Sequence, residues 1–325
     1  VILAGIDIGT NTFRLLIAEI SPTSCREIGS DRRVTRLGQD LDRTGVLSRD
    51  AQERSINALA DFSARIKQHA VYHIDAVGTS ALRKASNSSD FISEVKKRTG
   101  FDIRIIRGEE EARLTLLGVL RAMGKTSACK NGPSLPMFVI DIGGGSTEII
   151  LTHPDGKPVG VSLPLGAVYL TERFLHHDPP SEDELERLRQ SIREELERHS
   201  GLLRPDPSCV FAGTAGTITT LAAMDQKLAV YDPERINGTA LTRSVVDGMV
   251  RLLEKRTLKE RRDIPGLECG REDIILAGAV VTQEIMERCG FTSLLVSDWG
   301  LREGIVLALY DKIMKSVKDE RQGTK

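Results

Sequence analysis

Residues 137–151 read MFVIDIGGGSTEIIL, and this stretch decides the fold. Met137, Phe138, Val139, Ile140 and Ile142 form an apolar run broken only by Asp141. Such a run fits a strand covered on both faces. Gly143, Gly144 and Gly145 follow, where the backbone reaches conformations closed to other residues and a ligand can come close. Turn N–H groups beside the Ser146 and Thr147 hydroxyls predict an anion cradle. Asp141 and Glu148 flank the turn with the oxygen ligands that suit a hydrated Mg2+. The plainer reading, a glycine hairpin carrying two solvated acids, stands at even weight for the three glycines alone.

The same pattern occurs 134 residues earlier. Residues 1–20, VILAGIDIGTNTFRLLIAEI, run as an apolar strand carrying Asp7, a turn of Gly9, Thr10, Asn11 and Thr12, and a returning strand. IDIGTNT set against IDIGGGST is an internal repeat about one domain long. Two related domains facing one another are predicted, gripping a phosphate chain from both sides. The 325-residue length agrees with about two domains. The small, polar, proline-containing segment 124–136 reads as the linker between them.

Bulk composition narrows the partners. With 40% apolar residues the chain can bury substantial cores, and its formal charge of −1 supplies no field to hold nucleic acid or an anionic membrane. The five cysteines are odd in number and widely spaced, with no CxxC pair, which argues against zinc and a disulfide framework. Free thiols fit a reducing cytoplasm. No apolar run is long enough to span a membrane, and Val1 leads directly into a strand where a signal peptide would otherwise begin.

Between the repeats, residues 21–47 predict a third strand and a loop carrying Arg32, Arg33 and Arg36 as a solvated face. A helix opens at Ser48, and a strand over 71–77 runs into Gly78-Thr79-Ser80-Ala81-Leu82-Arg83. That turn is either a second phosphate contact, with Arg83 close behind, or an N-capped helix start. Ser89 or Asp90 caps a helix ending at Gly100. A strand over 101–107 leads to Glu109, Glu110 and Glu111 at a helix start, with Leu114, Leu117 and Leu120 as its buried side. The helix dipole favours acids there without any chemistry; one of the three as a general base is the functional alternative. Beyond the second repeat, Ser181 and Glu184 form a capping box. Gly213-Thr214-Ala215-Gly216-Thr217 marks a strand-to-helix turn where a nucleotide or tight packing would account for the small residues. The last helix is predicted over 305–317, with a frayed polar tail after it.

Six of these segments together resemble the exopolyphosphatase and guanosine pentaphosphatase family of the actin, sugar kinase and Hsp70 superfamily. They are IDIGTNTFRLLIAE, GTSALR, GEEEARL, IDIGGGSTE, GTAGTITTLA and SDWGLREG, in the family's order across nearly the whole chain. The resemblance implies an α/β fold of two ribonuclease H-like (actin-like ATPase) domains flanking a cleft. The first would comprise residues 1–126 plus about 304–325, and the second 127–303. It implies opposed phosphate loops built from Gly9, Thr10, Asn11 and Thr12 and from Gly143, Gly144, Gly145, Ser146 and Thr147, with Thr79, Ser80 and Arg83 beside the substrate. It selects Glu111 as the general base and Asp7, Asp141 and Glu148 as metal-associated acids. Gly213, Thr214, Gly216 and Thr217 fall where nucleotide-binding relatives receive adenosine. Mg2+, with K+ as an activator, is the implied cofactor. The implied substrate is inorganic polyphosphate, with guanosine pentaphosphate, the alarmone of the stringent response, as the alternative. A homodimer stays open, and a non-catalytic alarmone sensor and a sugar or carboxylate kinase are the rivals of other classes. Arg107, where many relatives carry a small hydroxyl residue, is a departure, and longer relatives add a C-terminal helical region after the point where this sequence stops.

Overall fold

A computed structural model describes residues 1–124, 136–152, 158–201, 203–206 and 208–323. The predicted linker at 124–136 lies almost wholly outside the described residues. The chain divides into two compact units, one of residues 1–118 and 300–325, the other of residues 119–299.

The first unit opens with β1 (Ile2–Ile8), β2 (Thr12–Ile20) and β3 (Cys25–Val34), joined antiparallel in sequence. Helices α1 (Leu41–Thr44) and α2 (Arg49–Ile66) lead to β4 (His73–Gly78). Then come α3 (Ser80–Lys84), α4 (Ser88–Thr99), β5 (Ile103–Ile105) and α5 (Gly108–Met123). The sheet order is β3-β2-β1-β4-β5, with β4 parallel to both β1 and β5. Residues on both faces of β1 are buried, as its apolar run demands, whereas β3 is an edge strand dense in charge. Charged side chains on an edge discourage pairing with another chain. Arg32 and Arg33 lie on this strand, and only Arg36 lies in the loop predicted for all three.

The second unit repeats the plan. β6 (Met137–Ile142), β7 (Thr147–Thr152) and β8 (Pro158–Leu163) form the antiparallel trio. Helices α6 (Ala167–Phe174) and α7 (Glu182–Arg198) precede β9 (Val210–Thr214) and α8 (Ala215–Asp225). After α9 (Pro233–Ile236) come β10 (Ala240–Thr242), α10 (Arg243–Glu254), α11 (Leu258–Arg261), α12 (Ile275–Cys289) and β11 (Ser293–Val296). The order β10-β11-β9-β6-β7-β8 is that of the first sheet with one antiparallel strand added. β6 is buried at every position; Phe138 meets Phe211 edge-on, and Phe211 stacks on Phe291. Helix α12 is buried nearly all round, the signature of a core helix. α7 instead buries a narrow stripe of Leu188, Ile192 and Leu196 behind its Ser181–Glu184 capping box.

Three boundaries differ from the sequence reading. Asn87, not Ser89 or Asp90, precedes α4, and its side-chain amide is engaged with both backbone groups of Leu47. β5 has three residues instead of seven, and of the three leucines expected to face inward from α5, Leu114 alone is fully buried. The last helix, α13 (Leu301–Gly323), starts one turn earlier than predicted and continues through most of the expected tail.

Candidate active site

Both glycine turns are closed by the same bond. Gly9 N–H donates to the Thr12 carbonyl at 3.3 Å, and Gly143 N–H to the Ser146 carbonyl at 3.0 Å. Each turn is then pinned by its carbonyl oxygens. Thr35 and Arg36 N–H groups donate to Asn11 O, and Gly38 N–H to Thr10 O, at 2.9–3.0 Å. In the second turn the first N–H groups of α6 do this: Ala167 to Gly143 O, Val168 and Tyr169 to Gly144 O, at 2.9–3.1 Å. The turn's oxygens therefore face protein donors, an arrangement that directs the opposite, amide side of the peptides to an anion. Gly166 makes the close fit: a Cβ there would stand 2.4 Å from the backbone of Gly144 to Ser146. Gly38 is close to the first turn through a side chain instead, since a Cβ there would meet the Thr10 methyl at 2.3 Å.

The hydroxyls divide into two groups. Thr10 Oγ1 is buried and finds no hydrogen-bond partner among the described residues. A buried hydroxyl in that state is costly, which fits a position that a ligand completes. Ser146 Oγ donates to Glu148 Oε1 at 2.9 Å. Thr147, by contrast, is fully buried and donates to Leu165 O at 2.7 Å, so it braces the turn from beneath. Thr12 Oγ1 accepts from the Asn11 amide at 3.4 Å. Thr79, at the end of β4, donates through its hydroxyl to Ile8 O at 3.4 Å, and Ser80 next to it is buried.

Asp141 and Glu148 are direct cross-strand partners on β6 and β7, and both are buried. Ser162 Oγ also donates to Glu148 Oε1, at 2.6 Å. Two carboxylates opposite one another on an antiparallel pair repel at about 5 Å unless a cation lies near. Among the described residues no cluster of three or more His, Cys, Asp or Glu side chains could hold a metal. Mg2+ seldom requires such a cluster, since one or two carboxylates, waters and substrate phosphates complete its shell. The pair therefore fits the ion the sequence implied. The first unit differs: the cross-strand partner of Asp7 is Arg14.

The three glutamates at the start of α5 separate by environment. Glu109 is exposed, Glu110 pairs with Arg104 at 2.6 Å, and Glu111 is buried. Glu111 Oε2 accepts from Arg83 Nη1 at 2.5 Å, and the same nitrogen donates to Ile106 O at 3.1 Å. α5 is fixed behind Glu111 by two glycines. A Cβ on Gly304 would stand 1.8 Å from Leu114 O, and one on Gly118 would stand 2.1 Å from Gly300 O. Glu303 accepts from Gly300 N–H at 2.9 Å and closes the first turn of α13.

The 213–217 turn is covered by protein. Thr214 Oγ1 donates to Trp299 O and Thr217 Oγ1 to Ile142 O, both from buried positions. The Arg271 guanidinium lies against Gly216, where a Cβ would meet it at 1.9 Å, and its Nε donates to Glu268. Sequence reasoning missed Arg271, Ser162 and Gly166. Arg14, outside that trio, carries a signal in the sequence, since the repeat superposes it on Glu148.

Two α/β units of one topology, each with a glycine–hydroxyl turn after its first strand, define a protein of the actin-like ATPase fold. The chain belongs to the Ppx/GppA phosphatase family, whose model matches residues 16–313. It is 33% identical over 320 residues to exopolyphosphatase 2 of Mycobacterium tuberculosis, covering 94% of this chain and 98% of that one. Among solved structures it is similar to the Aquifex aeolicus Ppx/GppA family member, at TM-score 0.79 and 33% identity over 96% of this chain and 98% of that one. An exopolyphosphatase-like protein of known structure matches at TM-score 0.88 and 31% identity, over 97% and 99% of the two chains. Among the described residues no helix is long and apolar enough to cross a membrane.

Proposed function

We propose that the protein is an exopolyphosphatase, which hydrolyses the terminal phosphoanhydride bond of inorganic polyphosphate and releases orthophosphate. The 9–12 and 143–146 turns hold phosphoryl oxygens through backbone N–H groups and the Thr10 hydroxyl, with Thr79 and Ser80 beside the first. Thr147 braces the second turn from within. Asp141 and Glu148 are the carboxylates that would hold Mg2+, which when bound offsets phosphate charge; Asp7, opposite Arg14 across its strand pair, would act on the substrate instead. K+ would act as a further activator. Glu111 orients a water and takes its proton as the water attacks the terminal phosphorus in line, while the shortened chain departs with the bridging oxygen. Phosphoryl transfer depends mainly on such positioning and charge stabilisation, so no covalent nucleophile is required.

The choice of polyphosphate over a nucleotide rests on one observation, Arg271 covering Gly216 where a nucleoside would need open backbone. Guanosine pentaphosphate would use the same turns and the same base. In the cytoplasm, where this reading places the protein, Cys25, Cys209, Cys269 and Cys289 stay free thiols as found.

Phosphate release is to be measured in parallel from long polyphosphate, short polyphosphate and guanosine pentaphosphate, with Mg2+ and with or without K+. Polyphosphate should be the preferred substrate, and a higher kcat/KM on guanosine pentaphosphate would reverse the assignment. Glu111→Gln should keep its fold and lose about 10²-fold or more in rate, the scale for a lost general base. Near-normal turnover in that variant would remove Glu111 from the mechanism.

A further inference from the structure

Arg83 follows Gly78-Thr79-Ser80 closely in sequence, and its place in GTSALR suggests a cation reaching for substrate. Its geometry points elsewhere. Nη1 lies between Glu111 Oε2 at 2.5 Å and Ile106 O at 3.1 Å, so the guanidinium is fixed by a side chain and a backbone group at once. Neither member of the pair is well exposed, with side-chain accessibilities of 22% for Arg83 and 8% for Glu111. A carboxylate so far from water is sensitive to the charge beside it, and the Arg83 guanidinium is in direct contact with it.

We propose that Arg83 is a positioning residue for Glu111 and not a ligand of the substrate's phosphates. The inference rests on the reading of Glu111 as general base and adds what aims it. Two constraints act in series. Gly118 and Gly304 let α5 and α13 touch backbone to backbone, which fixes the Cα of Glu111; Leu114, whose carbonyl meets Gly304, lies one turn further along α5. The three side-chain torsions of a glutamate remain, and the Arg83 bond selects among them. The Ile106 carbonyl in turn holds Arg83 at a fixed reach. Ile106 N–H donates to Gly78 O at 3.0 Å and Arg83 N–H to Thr79 O at 3.0 Å, so both anchors belong to the end of β4. The frame that carries Thr79 thus also aims the base, and a misplacement of about 1 Å at such a group can cost about 10²-fold in rate.

A double-mutant cycle in the full chain tests this, with Arg83→Gln, Glu111→Gln and the pair assayed on short-chain sodium polyphosphate with Mg2+. Arg83→Gln should lower kcat about 10²-fold with KM within about twofold of wild type, and in the Glu111→Gln background it should cost nothing further. An ordinary structural lesion or a lost phosphate contact would not vanish when Glu111 is removed. A tenfold rise in KM with kcat retained, or a further tenfold loss in the double variant, would overturn the proposal and make Arg83 a substrate ligand. If Arg83→Gln fails to fold, Arg83→Lys takes its place in the cycle with the same two outcomes. A Glu111→Gln enzyme at wild-type speed would instead overturn the general base itself, and this proposal with it.

Discussion

At the scale of single residues, the hydroxyls of the second turn show what spacing can and cannot say. Ser146 and Thr147 are adjacent in sequence and looked equivalent as phosphate donors. The strand pleat sends them apart: Thr147 goes inward to Leu165 O, and Ser146 stays with Glu148. Adjacent residues on a strand face opposite sides, so two neighbouring hydroxyls cannot share one role there. Thr10 of the first turn, buried with an unsatisfied oxygen, is the better ligand candidate. Thr10→Val should therefore raise KM for polyphosphate about tenfold, the scale of a hydrogen bond to a charged group, with the unfolding midpoint unmoved or raised. Thr147→Val should do the reverse, lowering stability by about 1–3 kcal/mol as Leu165 O loses its donor, with KM unchanged. Steady-state kinetics and a thermal melt on both variants decide the pair. The acids were more legible than the hydroxyls, because Asp141 and Glu148 face each other by strand register alone, which the tight Gly143–Ser146 turn fixes. Which of three consecutive glutamates is buried depended on where Arg104 and Arg83 arrive from other elements, and no local pattern records that.

Among the elements, the crossing of α5 and α13 explains a boundary that the sequence misplaces. The last helix is predicted only from residue 305, after Gly300 and Gly304. Glycine serves here for close approach, and Gly304 lies within α13. Replacing a helical glycine by alanine ordinarily gains about 0.5–1 kcal/mol. Gly304→Ala should instead cost about 2 kcal/mol or more, since the new methyl would overlap the Leu114 carbonyl. A gain in chemical-denaturation stability would show that the helices part freely. The capping box of α7 was fully legible, from Ser181 and Glu184 at capping distance. Its added load was not: Glu184 also accepts from His176 and His177 N–H groups and from the His177 ring. Burial works to raise the Glu184 carboxyl, but the bonds from His177, Ser181 and His176 outweigh it and hold it at about 2, below the ordinary 4.5. A depressed carboxyl contributes stability that is present above its unfolded value and lost as pH falls through its folded one. Glu184→Gln should accordingly lower the melting temperature at pH 7 and remove part of the acid sensitivity between about pH 4.5 and 2. A parallel fall of wild type and variant across that window would contradict the linkage.

For the molecule as a whole, the informative fact is a duplication whose copies have diverged in charge. The strand order, the turn-closing bond and the carbonyl pinning recur 134 residues apart, and the repeat was readable because IDIG survives in both copies. The hydroxyl that follows the fourth strand of the plan recurs too. Thr79 donates to Ile8 O, and Thr217, from the first turn of α8, donates to the corresponding acceptor, Ile142 O. What does not recur is the partner across the strand. Asp141 faces Glu148, a like charge, whereas Asp7 faces Arg14, an opposite one. The two aspartates occupy one position of the repeat, so resemblance alone gave both to the metal. The charge across the strand divides them: Mg2+ should depend on the second unit, with Asp7 acting on substrate. Asp141→Asn should then raise the Mg2+ concentration for half-maximal activity about tenfold or more, because one carboxylate of two is lost from a cation that takes few protein ligands. Asp7→Asn should leave that concentration within about twofold while lowering kcat/KM, as a change in substrate handling and not in metal affinity would. Titrating Mg2+ at saturating polyphosphate for the two variants separates the roles. Equal shifts in both would mean that the copies still share the ion evenly, and that Arg14 does not relieve Asp7 of it.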